Sequence, residues 1–168
     1  MRNVTFRLES WATKFPFSTA IRTVTEVKIL TVTLTENGVS GRGEATGIHY
    51  LGESSETILA QAESVKKALQ QGIDREALRT LLPAGGARNA IDCALWDLQA
   101  KLSGKTIWDL TAIAPTETNT LYTVSIDTPE IMAASAKKLD TSKLKVKLDG
   151  KQPLACIEAV CEARPDAE

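Results

Sequence analysis

The sequence predicts an α+β domain, a three-stranded meander plus helices, followed by two β/α units of the kind that open a TIM-type (β/α) barrel, with domains at 1–115 and 116–168. Three observations predict it. Two-residue apolar alternation dominates up to Ala45, apolar residues at helical spacing fill Ile58 to Leu102, and from Leu121 onward strand and helix patterns alternate. Strands followed by helices give segregated layers, whereas strand, helix, strand, helix with short links gives parallel strands covered by helices.

Residues 2–35 read as two strands separated by a loop at Lys14 to Thr25. In the second strand Leu30, Val32 and Leu34 alternate with Thr31, Thr33 and Thr35, and Asn37-Gly38 then supplies a tight hairpin turn into a third strand, Val39 to Ala45. One face of this meander needs cover. Ile58, Leu59, Ala62, Val65, Ala68 and Leu69 form a helical stripe with Ser54 or Ser55 as N-cap, and Gly72 lies just past its end. A short helix from Asp74 to Leu82 stops at Pro83. The most regular helix carries Ala87, Ala90, Ile91, Ala94, Leu95, Leu98 and Leu102 on one face and ends at Gly104. The domain boundary is expected in the short polar link Ala112 to Asn119, which contains Pro115.

Beyond the link come a strand at Leu121 to Asp127, a helix at about Pro129 to Leu139, the strand Lys143 to Asp149, and a helix at about Pro153 to Ala163. The strand Lys143-Leu144-Lys145-Val146-Lys147-Leu148-Asp149 sends Leu144, Val146 and Leu148 to one face and Lys143, Lys145, Lys147 and Asp149 to the other. Such a lysine row suits an exposed edge strand, where it discourages edge-to-edge pairing. In the context of alternating strands and helices it also suits a barrel strand whose second face points inward, near the end where barrel active sites lie. In that setting a second ammonium, or partial desolvation, disfavours the charge on a lysine and makes it a better base.

Composition narrows the function classes. With 168 residues, 43% hydrophobic and a net charge of −1, the chain gives no reason to expect nucleic acid or an anionic membrane as partner. No apolar run approaches the ~20 residues of a membrane span, and alternation after Arg2 is unlike a signal peptide, so a cytoplasmic protein is expected. The cysteines Cys93, Cys156 and Cys161 lack metal spacing and read as free thiols. His49, the single histidine, has no partner at metal or triad spacing and reads as a loop residue, and Asp92 and Asp97 read as solvated or helix-pairing charges. Gly41-Arg42-Gly43 falls within a strand pattern, and Gly85-Gly86 lacks the rest of a phosphate-loop fingerprint.

Three stretches in order, Pro16-Phe17-Ser18-Thr19-Ala20-Ile21-Arg22-Thr23, Tyr122-Thr123-Val124-Ser125 and Lys145-Val146-Lys147, resemble the enolase superfamily. More narrowly they are similar to its dipeptide epimerases, which interconvert L-Ala-D-Glu and L-Ala-L-Glu, and the resemblance runs through essentially the whole chain. It implies an N-terminal capping domain, two loops forming a lid, and a barrel in which a lysine moves the proton α to a carboxylate while Mg²⁺ stabilises the enediolate. By this resemblance Lys147 is the base and Lys145 the partner whose charge lowers its pKa and helps hold the substrate carboxylate. Arg22 binds the glutamyl side-chain carboxylate, for which a planar guanidinium fork is suited. Thr123, and Phe17 and Tyr50 from the two loops, lie near the substrate. The family's three metal-binding carboxylates and its second lysine sit on later strands, so no metal ligand is expected within the chain and all are expected beyond Glu168. A barrel of about eight units needs ~250 residues. The sequence therefore reads as the truncated front portion of an isomerase of murein-peptide catabolism, inactive alone, with a small dipeptide as substrate. An unpaired strand edge would favour a homo-oligomer. Cycloisomerases and o-succinylbenzoate synthases share the Lys-x-Lys strand and remain an alternative, as does a non-catalytic domain that associates with a partner.

Overall fold

The computed structural model describes residues 1–168. β1 (Asn3–Ser18) and β2 (Thr23–Glu36) form a long hairpin, and β3 (Val39–Ala45) completes a sheet of order β1-β2-β3. β2 and β3 are antiparallel, in register from Leu30 opposite Ala45 to Glu36 opposite Val39. The turn between them needs two left-handed residues, which Asn37 (φ 51°) and Gly38 (φ 79°) supply at little steric cost. The loop expected at Lys14 to Thr25 is shorter than expected, because both strands run into it and leave only residues 19–22 as the turn. β-Branched Thr13, Thr23, Val24 and Thr25 favour extended backbone, and Pro16 is tolerated because β1 is an edge strand.

Two compact units result: Met1–Trp11 with Val27–Pro115, and Ala12–Glu26 with Thr116–Glu168, so the far end of the hairpin groups with the second. In the first unit, α1 (Ser55–Ser64) begins at Ser54, whose hydroxyl accepts from the Thr57 N–H at 3.2 Å while Thr57 Oγ1 accepts from the Ser54 N–H at 2.8 Å. The stripe expected as one helix breaks at Val65 (φ −104°, ψ 3°) before α2 (Lys66–Gln70). Next come α3 (Arg75–Leu81), capped by Asp74, and the long α4 (Gly86–Ser103), closed by left-handed Gly104. A fifth helix, α5 (Ile107–Thr111), was not expected; it is too short to display a period, and a reciprocal Thr106–Asp109 pair starts it.

The core of this unit joins Leu30, Val32 and Leu34 of β2 to Ile58, Leu69 and Leu78 and to the apolar face of α4. Thr31, expected on the polar face, is buried as well, and its hydroxyl has no hydrogen-bond partner. Ile29 through Val32 are all buried, so this part of the middle strand is covered on both faces. α4 lies directly on β3: a Cβ at Gly43 would run into the Ala90 carbonyl oxygen, and one at Gly41 into the Ala94 carbonyl oxygen and the Leu98 nitrogen. Two glycines spaced by two therefore face Ala90 and Ala94, and backbone packs on backbone. Beside this contact the Arg42 N–H donates to Asp97 Oδ2 of α4 at 2.8 Å, and Lys101 Nζ reaches the same oxygen at 2.7 Å.

In the second unit β4 (Tyr122–Val124) and β5 (Leu144–Val146) are parallel, with Tyr122, Thr123 and Val124 opposite Leu144, Lys145 and Val146. α6 (Pro129–Lys137) and α7 (Pro153–Ala163) alternate with them. Met132 and Ala136 of α6, Cys156 and Val160 of α7, and Val124 form the core, with Leu139, Leu144 and Val146 packed against it. Both strands are shorter than expected, although Tyr122 N–H to Lys143 O (3.3 Å) and Lys147 N–H to Val124 O (3.0 Å) extend the pairing at each end.

Two stability outcomes follow. Gly43→Ala is expected to cost about 3 kcal/mol or more, because the clash is with helix backbone that cannot rotate away; a urea titration should find a lower midpoint with an unchanged slope. Partial burial pushes the Asp97 carboxyl up, but the hydrogen bonds from Lys101 and the Arg42 N–H outweigh it and hold the carboxyl below the usual range. That contribution is present above the unfolded pKa of about 3.9 and disappears as pH falls through the folded value. Asp97→Asn should therefore lower the melting temperature at pH 7, with the deficit closing in strong acid.

Candidate functional site

β5 presents its two faces differently. Leu144 and Val146 pack on the α6–α7 core, while Lys145 and Lys147 take the opposite face, Lys145 exposed and Lys147 half-buried. Residues opposite each other on neighbouring strands share a face, so Thr123, opposite Lys145, stands beside the lysines at the usual interstrand spacing of about 4.8 Å. Lys143, the first lysine of the row, is tied to Glu168 by an ion pair of 2.9 Å. On the free side of β5, Leu144 N–H donates to Glu168 O (2.9 Å) and Glu168 N–H to Ser142 O (2.8 Å), which is the bonding of a parallel neighbour opposite Lys143.

Arg164 holds the entrance to this strand. It is only 14% exposed; its Nη1 donates to the carbonyls of Leu139 (2.7 Å) and Ala136 (3.3 Å), and its Nη2 to Thr141 O (2.6 Å). Asp166 holds the guanidinium from the other side through Nε (3.0 Å) and Nη2 (2.9 Å). One side chain thus binds the open carbonyls at the C-terminus of α6 and the chain that enters β5.

The hairpin end, in the same unit, carries Phe15, Phe17, Ile21 and Arg22, all exposed. The Ile126 N–H, just beyond β4, donates to Ser18 O at 3.3 Å and joins hairpin to strand. A cavity of about 370 Å³ opens there, lined by Phe15, Pro16 and Ser18 together with Thr123, Ser125 and Lys138. The Arg22 backbone is held by Thr19, whereas its guanidinium makes no hydrogen bond or ion pair.

Tyr50 belongs to the first unit, in a single 3₁₀ turn, His49–Leu51, where its exposed ring meets that of His49 edge-on at 5.4 Å. Glu53 secures this loop: its carboxylate accepts from the N–H groups of Ile48 (3.0 Å) and Gly86 (2.9 Å). Of the residues expected at a site, Thr123, Lys145 and Lys147 share one strand face, and Phe17 and Arg22 share the hairpin end. Arg164, Thr19 and Glu53 were missed. A threonine three residues before Arg22 was the one legible signal, as a local side-chain-to-backbone turn; the reach of Arg164 and Glu53 depends on contacts distant in sequence. Asp92 pairs with Arg75 at 2.9 Å, whose guanidinium lies on the Trp96 ring, so it is one of the helix-pairing charges. No three His, Cys, Asp or Glu side chains are grouped to hold a metal ion.

Residues 1–112 match the family model of the mandelate racemase / muconate lactonizing enzyme N-terminal domain. The chain belongs to this family. It is 42% identical to the L-Ala-D/L-Glu epimerase of Escherichia coli (strain K12), in an alignment that covers 99% of this chain and 53% of that protein. An enolase family member from Agrobacterium tumefaciens with homology to dipeptide epimerases, solved with sodium and L-Ala-L-Glu and an ordered loop, matches with a TM-score of 0.94 and 32% identity, covering 100% of this chain and 52% of that one. A dipeptide epimerase from Enterococcus faecalis V583, complexed with Mg and L-Leu-L-Tyr, matches with a TM-score of 0.82 and 27% identity over 95% of this chain and 49% of its own. The chain thus spans about half the length of these enolase-family relatives and corresponds to their N-terminal portion. Its three-stranded meander with helices is this family's N-terminal domain.

The Arg164 clamp predicts a local effect. Arg164→Met should speed amide hydrogen exchange at Leu144 and Lys147 while Leu95 and Leu98 of α4 keep their protection, as read by exchange mass spectrometry with peptide resolution.

Proposed function

We propose that the whole protein is a dipeptide epimerase of the enolase superfamily that interconverts L-Ala-L-Glu and L-Ala-D-Glu by moving the proton on the carbon α to the glutamyl carboxylate. The observation that carries this reading is the placement of Lys145 and Lys147 on the face of β5 turned away from its helices, beside Thr123. Identity of 42% to the Escherichia coli epimerase supports it.

In this reading residues 1–115 are the cap and 116–168 open the barrel. The Lys147 amine takes the proton from one face of the substrate. The Lys145 ammonium, two residues away on the same strand face, holds the substrate carboxylate. A lysine outside these residues serves the other face, so the 168 residues alone do not turn over. Arg22 pairs with the glutamyl side-chain carboxylate, its unpartnered guanidinium being available for a two-pronged contact. Thr123 and Phe17 complete the substrate contacts of this unit, and the enzyme works in the cytoplasm.

Mg²⁺ belongs to this reading because a relative is solved with Mg and a dipeptide. No three His, Cys, Asp or Glu side chains of these 168 residues are grouped to hold it, and the reading places its ligands elsewhere in the protein. When bound, the ion would supply positive charge to the substrate carboxylate.

The test is proton NMR of the whole protein with L-Ala-L-Glu in D₂O. The glutamyl α-proton should wash out and the L-Ala-D-Glu signals should grow. Arg22→Ala should raise KM for L-Ala-L-Glu roughly 10- to 150-fold, the loss of one charge-assisted pair. A dipeptide with an uncharged second residue should be little affected, and equal losses on both substrates would overturn the role of Arg22.

A further inference from the structure

The hairpin end carries one cation whose backbone is fixed and whose charge is unspent. Both the Thr19 N–H (2.9 Å) and the Thr19 hydroxyl (3.1 Å) donate to the Arg22 carbonyl. The same hydroxyl oxygen accepts from the Ile21 N–H at 3.4 Å and the Arg22 N–H at 3.3 Å. One hydroxyl therefore uses its single hydrogen and its lone pairs on the two peptide groups that flank Arg22 and on the one before them. Around this turn, Ser18 Oγ and Thr23 Oγ1 are 2.9 Å apart and close the last rung of the hairpin, and Ser18 O accepts from the Ile126 N–H beyond β4. Thr19 is half-buried, whereas Ala20, Ile21, Arg22 and Thr23 are exposed, so nothing but the turn itself restrains Arg22. A flexible loop would hold this guanidinium in many places. A turn pinned at one residue removes the backbone share of that freedom, so part of the ordering cost of capturing an anion is met before the ligand arrives, while the side chain keeps its own rotamers.

We infer that Thr19 is the positioning residue for Arg22, and that its hydroxyl sets the selectivity of the proposed enzyme for dipeptides with an acidic second residue. This rests on the reading of Arg22 as the receptor of the glutamyl carboxylate. Thr19 itself touches no substrate. Its contacts at 3.1 to 3.4 Å are individually weak, so the expected effect is moderate. Serine at this position keeps the hydroxyl and should keep the function; alanine removes it and leaves only the main-chain bond to the Arg22 carbonyl.

The experiment is a double-mutant cycle in the whole protein, with KM and kcat measured for L-Ala-L-Glu and for a dipeptide with an uncharged second residue. Thr19→Ala should raise KM for L-Ala-L-Glu about 3- to 10-fold, in line with one or two neutral hydrogen bonds. It should leave kcat and the uncharged dipeptide unchanged, and Thr19→Ser should restore the wild-type KM. In an Arg22→Ala background Thr19→Ala should have no further effect, because it acts through that side chain. A Thr19→Ala enzyme with an unaltered ratio of the two KM values, or one whose loss persists without Arg22, overturns the role of Thr19 while Arg22→Ala alone still discriminates. Should Arg22→Ala itself weaken both dipeptides equally, the receptor reading falls, and the selectivity role of Thr19 falls with it.

Discussion

The placement of Lys145 and Lys147 depends on one packing constraint: β5 buries only one of its faces. Side chains on a strand alternate, and Leu144 and Val146 fill the space against Met132, Ala136, Cys156 and Val160. The residues between and after them are forced to the other side. Lys145 and Lys147 stand together there because the leucine and the valine cannot. The parallel pairing of Thr123 with Lys145 sets the register, and a slip of one residue would send the lysines into the helices. Arg164 contributes from outside the strand by binding the chain at its entrance, and so helps keep the register.

The first unit solves a different problem, that of holding an 18-residue helix tightly on a short strand. Gly41 and Gly43 on β3 and Ala90 and Ala94 on α4 let the two backbones meet, and the larger Leu30, Val32 and Leu34 fill the neighbouring space. Dispersion across such a contact is strong because few atoms lack neighbours, and it is intolerant of added methyl groups for the same reason. This rigid layer anchors the loop that carries Tyr50, through the carboxylate of Glu53 on the first N–H of α4.

The parts of this structure legible in the sequence are those governed by local period and local turn chemistry. Asn37-Gly38, the stripe from Ala87 to Leu98 and the alternation at Leu144 to Lys147 each state their structure within a few residues. What stayed hidden depended on partners far along the chain. The apolar stripe from Ile58 to Leu69 is continuous, yet the helix breaks at Val65. Polar Thr31 is buried because the middle strand is covered on both faces. The loop at Lys14 to Thr25 shrank because pairing between β1 and β2 overrode a segment with proline and weak alternation. At the candidate site the two-residue period puts Lys145 and Lys147 on one face, and the resemblance of its loop singles out Arg22, whereas Arg164 reaches across 25 residues to Leu139 and Glu53 across 33 to Gly86.

The central claim is that Lys147 is the proton carrier on one face of a dipeptide and that its place on β5 gives it that role. Deuterium incorporation at the glutamyl α-carbon, followed separately from L-Ala-L-Glu and from L-Ala-D-Glu with Lys147→Ala in the whole protein, tests it most directly. Exchange should survive from one epimer alone, because the base on the other face still works, while net epimerisation stops. Exchange persisting from both epimers would contradict it and leave Lys147 a solvated lysine on the outer face of a strand.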